Sequence, residues 1–451
     1  MSSLPNQFVT FIENISLGER QVERIQSAAT ALADYLRSAM ELEAEDDVFL
    51  QGSYANGTAI KPPEGGEYDV DVVVVSATHS DSADDALDDL EDILEDHGRY
   101  RDRIQRKKPC VRLKYADDEI GGFHVDVVPV RPSSDNDAPL DAPRRDEGWH
   151  GTAPQEFTQW CKDLGPEFER TVKALKHWRN RQQDRAAIKS ILLQVLVSTH
   201  MPTGIQDDAE RLTLTLKGLA EALGGLEEVP EVANPVLTSE NLAKRWTTSA
   251  MTDFVKHVNG AATAARKALD EGDEVESAEL WQALLGEEVF PLPEAKALGI
   301  KVGDKSHVRH PRSRGWHESY DPAYSIKVSA TYQSGTLGRR KAYQDDDRLL
   351  FPSHKLRFFA TVIGPAQGDI WWRVTNTGGH ARQQDGLRGE FFKAKKLGGS
   401  ENIDQRENWE DVSYTGSHLI EALLVIGNAV VAKSDAMRIN IYNKKWRRWW
   451  P

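Results

Sequence analysis

GSYANGTAIKPPEGGEYDVDVVVV, residues 52–75, joins a glycine-marked turn to a run that first alternates and then becomes continuously apolar. YDVDVVVVS (68–76) is dominated by β-branched valine, which predicts a largely buried strand. Asp69 and Asp71 stand two residues apart on it, so both carboxylates leave the same face. Two like charges on one face of a buried strand repel strongly unless a cation neutralises them. A pair of Mg²⁺ ions answers that need, because magnesium takes a few carboxylate oxygens and completes its shell with phosphate and water. Mn²⁺ can substitute.

Working outward, FHVDVVPV (123–130) predicts a second strand, and its Asp126 supplies a third candidate metal ligand. Three carboxylates on adjacent strands suit two-metal chemistry, in which one ion activates a hydroxyl and the other stabilises leaving pyrophosphate. Gly52 and Ser53 supply the complementary half: glycine lets backbone approach a phosphate, and turn N–H groups with the Ser53 hydroxyl can hold it. VFLQG (48–52) predicts the strand before that turn, and PCVRLKYA (109–116) another, joined to 123–130 by DDEIGG. Helical periodicity covers 17–42, and 82–97 predicts an acidic helix. The order of elements gives an α+β domain on one mixed sheet.

Beyond about 153 the periodicity turns helical, over 166–182, 185–200, 207–224, 238–258, 260–271 and 276–286, broken by LEEVPEVANP (226–235). A basic loop, 301–317, leads into strands at 323–332, 356–364, 370–376 and 436–443, with SHLIEALLVI (417–426) readable as strand or helix. Four parts result: 1–150, a catalytic domain; 151–300, helical; 301–445, β-rich; and 446–451, a basic aromatic tail. His307, His310 and His317 have no Cys or carboxylate at ligand spacing and read as loop histidines.

The 451 residues carry a net charge of −15, unevenly spread. Residues 301–451 hold 25 Lys and Arg against 16 Asp and Glu, while the first 300 hold 31 against 55. An acidic front argues against a general nucleic-acid coat and against a tRNA acceptor. Two cysteines, Cys110 and Cys161, exclude a disulfide framework and fit a reducing cytoplasm. No apolar run approaches the ~20 residues of a membrane span, and the N-terminus lacks the features of a secretory signal.

Gly52-Ser53-Tyr54, Gly57-Thr58-Ala59-Ile60 and Tyr68-Asp69-Val70-Asp71, followed by HVDVVP (124–129), resemble the cyclic GMP-AMP synthase/DncV-like (CD-NTase, SMODS) nucleotidyltransferases of bacterial antiphage defence. The PPEGG insertion lengthens the gap between Gly-Ser and the aspartates. The resemblance implies a polymerase-β-like palm with Asp69, Asp71 and Asp126 as catalytic metal ligands. Arg170, Lys173, Lys176, Trp178, Lys189 and Ser190 look like that family's helical domain, which implies Lys176 and Ser190 as triphosphate contacts beside Gly52 and Ser53.

Trp372 to Gly378, Ala381, Leu387 to Gly389 and Tyr414 to His418 resemble the AGS-C sensor domain. Its Asn376, Arg388, Tyr414 and His418 gather near glycine turns, either as a small-molecule site or as polar groups closing the ends of a sandwich. The chain is also similar to the nucleotidyltransferase of the Hailong defence system, whose relatives build short single-stranded DNA on a tyrosine near their own C-terminus. That likeness makes Tyr442 a candidate primer, against the alternative of an edge-strand tyrosine packed on the core.

The implied activity joins ATP, GTP or dNTPs into an oligonucleotide signal, and the implied partner is a membrane effector with SLATT-type helices, without insertion of this chain itself. A cyclic di- or trinucleotide product is the alternative. A binding module holding an effector inactive is the alternative from another class.

Overall fold

A computed structural model describes residues 3–44, 47–62, 66–115, 122–134, 137–182, 188–294, 300, 302–303, 305–334, 338–344, 348–365 and 368–442. The predicted tail, 446–451, and most of the DDEIGG connection lie outside the described residues. The chain divides into two compact units, Met1–Pro291 and Leu292–Pro451.

The first unit opens with α1 (Pro5–Ile15) and α2 (Glu19–Ala39), then β1 (Val48–Gln51), the single turn α3 (Gly52–Ala55) and β2 (Tyr68–Val75). It continues through α4 (Ala83–Asp96), β3 (Ile104–Arg106), β4 (Val111–Lys114), β5 (Phe123–Pro132) and the hairpin β6 (Leu140–Arg144)–β7 (Gly148–Thr152). The sheet runs β1-β2-β5-β4-β3, with β2 and β5 parallel and the other neighbours antiparallel. Tyr68, Val70, Val72 and Val74 form one face with Val125 and Val127, packed on Ile25, Leu32 and Leu36 of α2 and Leu87, Leu90 and Leu94 of α4. Because strand side chains alternate, sealing that face with helices puts Asp69, Asp71, His124 and Asp126 on the other.

The unit continues with α5 (Pro154–Asp163), α6 (Gly165–Asn180), α7 (Ser190–His200), α8 (Asp208–Leu223), the short hairpin β8 (Ala233–Asn234)–β9 (Leu237–Asn241), α9 (Thr248–Asp270) and α10 (Glu274–Leu285); α5, α6, α7 and the hairpin line the cavity with Asp69 and Asp71, and α8, α9 and α10 pack into the helical layer. Here the structure corrects the helices expected at 238–258 and 260–271. Residues 237–241 are strand, and one helix starts after Thr247, whose hydroxyl accepts from Ala250 N at 3.2 Å. That helix runs unbroken through Gly260, because a helical glycine costs only about 1 kcal/mol and Phe254, Val258, Ala261 and Ala265 remain buried on one side. Helix α1 joins this layer through Phe8, whose ring lies 5.0 Å from Trp281 and 5.1 Å from Phe290.

The second unit contains β10 (His317–Glu318), β11 (Ser325–Ser334), β12 (Lys341–Tyr343), β13 (Leu349–Leu350), β14 (His354–Ile363), β15 (Asp369–Thr375), α11 (Gly379–Gln383), β16 (Phe391–Phe392), β17 (Glu407–Asp411), β18 (Gly416–Ile426), β19 (Ala429–Lys433) and β20 (Met437–Ile441). A four-stranded sheet, β12-β11-β14-β17, shares a core with a seven-stranded sheet centred on β18. SHLIEALLVI is therefore strand, despite its helix-favouring Leu, Glu and Ala. Hydrogen bonding to β15 on one edge and to β19 and β20 on the other overrides local propensity.

Candidate active site

In the first unit a cavity of about 620 Å³ is lined by Gly52, Ser53, Asp69, Asp71, Lys176 and Ser190, six of the seven residues singled out from the sequence as catalytic or nucleotide-binding. Asp126 is Asp71's register partner on β5 and shares its sheet face, but it does not line the cavity. Its carboxylate is gripped by Arg112 of β4, with Nε to Oδ1 at 2.7 Å and Nη2 to Oδ2 at 2.8 Å.

Asp69 is neutralised separately: its Oδ1 lies 2.7 Å from His124 Nε2. His124 Nδ1 lies 3.2 Å from Glu67 Oε2, and Glu67 Oε1 lies 2.9 Å from Lys114 Nζ. The contact with His124 holds the Asp69 carboxyl below its ordinary range. Burial works against the His124 imidazolium, but Asp69 and Glu67 outweigh it and raise its pKa.

Asp71 has no such relief. Burial, then the Asp126 and Asp69 carboxylates, push its pKa up to about 7. Gly52, at φ +72°, permits this crowding, because a β-carbon there would collide with Asp71 Oδ2. The α3 turn is four residues long, so it offers an anion its own backbone N–H groups without intrahelical partners.

Across the cavity, Lys176 Nζ donates to Thr58 O at 2.8 Å. Burial, then the neighbouring Arg179 charge, depress its pKa to about 7. Arg179, one turn further along α6, donates from Nη1 to Ser190 Oγ at 3.2 Å and to Ile188 O at 3.1 Å. It thereby fixes the start of α7. The other residues read with Lys176 are placed elsewhere: Arg170 pairs with Asp208, Lys173 donates to Ser16 Oγ at 3.4 Å, and Trp178 is buried in the helical layer. A carboxylic acid and an amine, both displaced toward neutrality, face one cavity, as in sites that bind charge.

Residues 1–164 match the family described as "Second Messenger Oligonucleotide or Dinucleotide Synthetase domain" (SMODS), and residues 306–442 match the "Adenylyl/Guanylyl and SMODS C-terminal sensor domain" (AGS_C). Among characterised relatives, a cyclic AMP-AMP-AMP synthase from an Acinetobacter species is 27% identical over 294 residues, 62% of this chain and 83% of that protein. The chain belongs to the cyclic GMP-AMP synthase/DncV-like nucleotidyltransferases.

A c-di-GMP synthase from Roseivirga ehrenbergii is 26% identical over 281 residues, 54% of this nucleotidyltransferase and 73% of that protein. Two solved structures share the fold. CdnG of Bradyrhizobium diazoefficiens, in complex with GTP, has a TM-score of 0.54 at 18% identity, covering 66% of this chain and 97% of its own. CdnC of E. coli MS115-1, in a complex with HORMA-deltaN, has a TM-score of 0.51 at 19% identity, covering 63% and 97%.

Among the described residues, no three His, Cys, Asp or Glu side chains converge closely enough to enclose a metal ion. The electrostatics explain this: Asp69 is turned to His124 and Asp126 to Arg112. The donor set nevertheless fits a divalent cation, because three hard oxygen ligands share one face and burial with the Asp126 and Asp69 carboxylates outweighs the His124 and Arg112 charges at Asp71. Sequence reasoning missed His124, Glu67, Arg112 and Arg179. Lys114 and Arg112 stand opposite His124 and Asp126 only through the register of β4 on β5.

In the AGS_C domain, Asn376, Arg388, Tyr414 and His418 line one cavity of about 290 Å³ above the apolar Leu356, Phe358 and Ile420. Asn376 Nδ2 donates to Gly386 O at 2.8 Å, His418 Nδ1 accepts from Thr377 N at 3.0 Å, and Arg388 pairs with Glu410 at 2.7 Å. Tyr442, half-buried beyond β20, donates its backbone N–H to Leu350 O at 2.9 Å. Among the described residues no helix is long and apolar enough to cross a membrane.

Proposed function

We propose that this nucleotidyltransferase joins nucleoside triphosphates into an oligonucleotide signal, with loss of pyrophosphate at each step. The carrying observation is the cavity that gathers Gly52, Ser53, Asp69, Asp71, Lys176 and Ser190, with the buried Asp71 carboxyl on one wall and Lys176 opposite. Asp69, Asp71 and Asp126 would hold two Mg²⁺, which supply charge neutralisation for the attacking and leaving oxygens.

The chain's own residues do the rest. The α3 backbone and Ser53 bind the terminal phosphates, and Lys176, poised near neutrality, regains its proton as phosphate charge enters. Arg179 positions Ser190 against the same phosphates. Arg112 and His124 hold Asp126 and Asp69 until a cation competes for them. An acceptor hydroxyl attacks the α-phosphorus, the P–O bond to the pyrophosphate breaks, and the hydroxyl proton passes to a carboxylate or to solvent.

A linear product extends from a free acceptor, and Tyr442 serves as primer in the self-priming form of this reading, with a SLATT-type membrane protein as the regulated effector. A cyclic di- or trinucleotide is the second reading, favoured by the cyclic products in the names of the Acinetobacter and Roseivirga relatives. The sensor reading of the C-terminal cavity rests on Asn376, Arg388, Tyr414 and His418 sharing one lining. Incubation with each labelled NTP and dNTP, then denaturing separation, distinguishes these outcomes. Label fixed to protein and lost in Tyr442→Phe establishes self-priming; free phosphatase-sensitive oligonucleotide establishes a linear product, and free phosphatase-resistant product establishes cyclisation; no labelled product of any kind refutes signal synthesis.

A further inference from the structure

Within the acidic first 300 residues, 99–114 (RYRDRIQRKKPCVRLK) stand apart, with eight Lys and Arg against one Asp. They build the outer edge of the sheet, β3 and β4, and the turn before it. Much of this charge is committed: Arg106 pairs with Glu91 at 2.7 Å, Lys108 with Glu147 at 2.8 Å and Arg112 with Asp126 at 2.7 Å. Arg99 is exposed and, among the described residues, pairs with no carboxylate; Arg103 lies over the Tyr115 ring at 5.0 Å.

These two arginines share a groove of about 630 Å³ with Asp102, Gln105, Lys114 and Tyr115. Tyr115 is 6% exposed, and among the described residues its hydroxyl has no hydrogen-bond partner.

A chain of ion pairs links the groove's Lys114 to the carboxylate site. Lys114 contacts Glu67 at 2.9 Å, Glu67 contacts His124 at 3.2 Å, and His124 contacts Asp69 at 2.7 Å. From Asp69 on β2 to Gln105 on β3 the sheet advances three strand spacings, about 14 Å. We propose that this groove holds backbone phosphates of a single-stranded oligonucleotide whose end lies at Asp69 and Asp71, so that a growing chain leaves the site across β4 and β3. The proposal rests on the linear-product reading above. The aromatic stack beneath, Tyr68–Phe123–Tyr115, is buried, so contact is made with phosphates and carries no base preference.

The test is fluorescence anisotropy of the full chain with labelled oligothymidylate of about ten nucleotides. Arg99→Glu/Arg103→Glu is compared with Lys256→Glu/Lys267→Glu, an equal charge change on α9. The groove variant is expected to bind at least about tenfold more weakly and to lose about 1.4 from the log–log salt slope, ~0.7 per phosphate. The α9 variant should bind like wild type, and Arg99→Lys/Arg103→Lys should retain binding, which separates lost contact from lost fold. Equal affinity in wild type and groove variant overturns the proposal. So does wild type binding polyglutamate as tightly as the oligonucleotide, which assigns the strip to an acidic protein partner. Nucleotide incorporation by wild type is measured alongside. Groove-dependent binding without incorporation refutes the synthesis reading and leaves the groove; incorporation with unchanged binding refutes the groove alone.

Discussion

Gly52→Ala separates the geometry of the site from the stability of the fold. At φ +72° an alanine occupies the left-handed region, at a cost of roughly 1–2 kcal/mol. For a domain of this size that lowers the melting temperature by about 2–8 °C. The second effect is local. The new methyl meets the Asp71 carboxylate first, so the group that must move is the proposed metal ligand. A displacement of about 1 Å at reacting groups costs on the order of 100-fold in rate. Thermal melts followed by labelled-nucleotide incorporation at saturating Mg²⁺ read both effects on one preparation. The expectation is a folded protein, slightly less stable, with turnover down about 100-fold. A Gly52→Ala protein with wild-type turnover would refute the claim that Gly52 exists to let the backbone crowd Asp71.

In metal-free buffer, Asp71→Asn should be more stable than wild type. The folded Asp71 pKa, about 7, exceeds its ordinary value of 3.8, so the folded state binds the extra proton between these values. Wild-type stability therefore falls as pH rises from about 4 to 7, by at most about 4 kcal/mol, and the gap to Asp71→Asn opens over that window. Mg²⁺ should close the gap, as denaturant midpoints across pH would show. Lys176→Met should raise KM for the nucleotide about tenfold or more with a smaller change in kcat, since it removes the proposed phosphate contact; an unchanged KM assigns Lys176 to structure alone. Arg211, 2% exposed, donates to Thr171 Oγ1 at 3.0 Å and Ile205 O at 2.8 Å and pairs with Asp208. Because Asp208 keeps Arg170, Arg211→Met should destabilise the first unit by about 1–3 kcal/mol through the acceptors it leaves unpaired, and an unshifted urea midpoint would show the cluster to be energetically idle.

The palm was legible because its information is local. Period-two alternation put Asp69 and Asp71 on one face, and valine at 70, 72 and 74 said which face is buried. The partners that manage those charges were not legible. His124 reaches Asp69, and Arg112 reaches Asp126, through the pairing of separate strands, and no spacing within one segment encodes that register. Arg179 could have been found, since it lies three residues beyond Lys176 and such pairs share a helix face. The helix expected from 238 failed because apolar periodicity ignores turn chemistry: Asn234 Oδ1 accepts from Val236 N at 3.1 Å and closes a hairpin over Pro235. SHLIEALLVI stayed ambiguous until its neighbours on both edges were known.

The central claim is nucleotidyl transfer at the Asp69–Asp71 face. The most direct measurement follows α-phosphate label and pyrophosphate together, with wild type and Asp69→Ala/Asp71→Ala in parallel, each checked for folding. The account predicts α-label in product and matching pyrophosphate from wild type with Mg²⁺, and neither from the double variant. Equal incorporation by both proteins would contradict it, because the chemistry would then lie elsewhere.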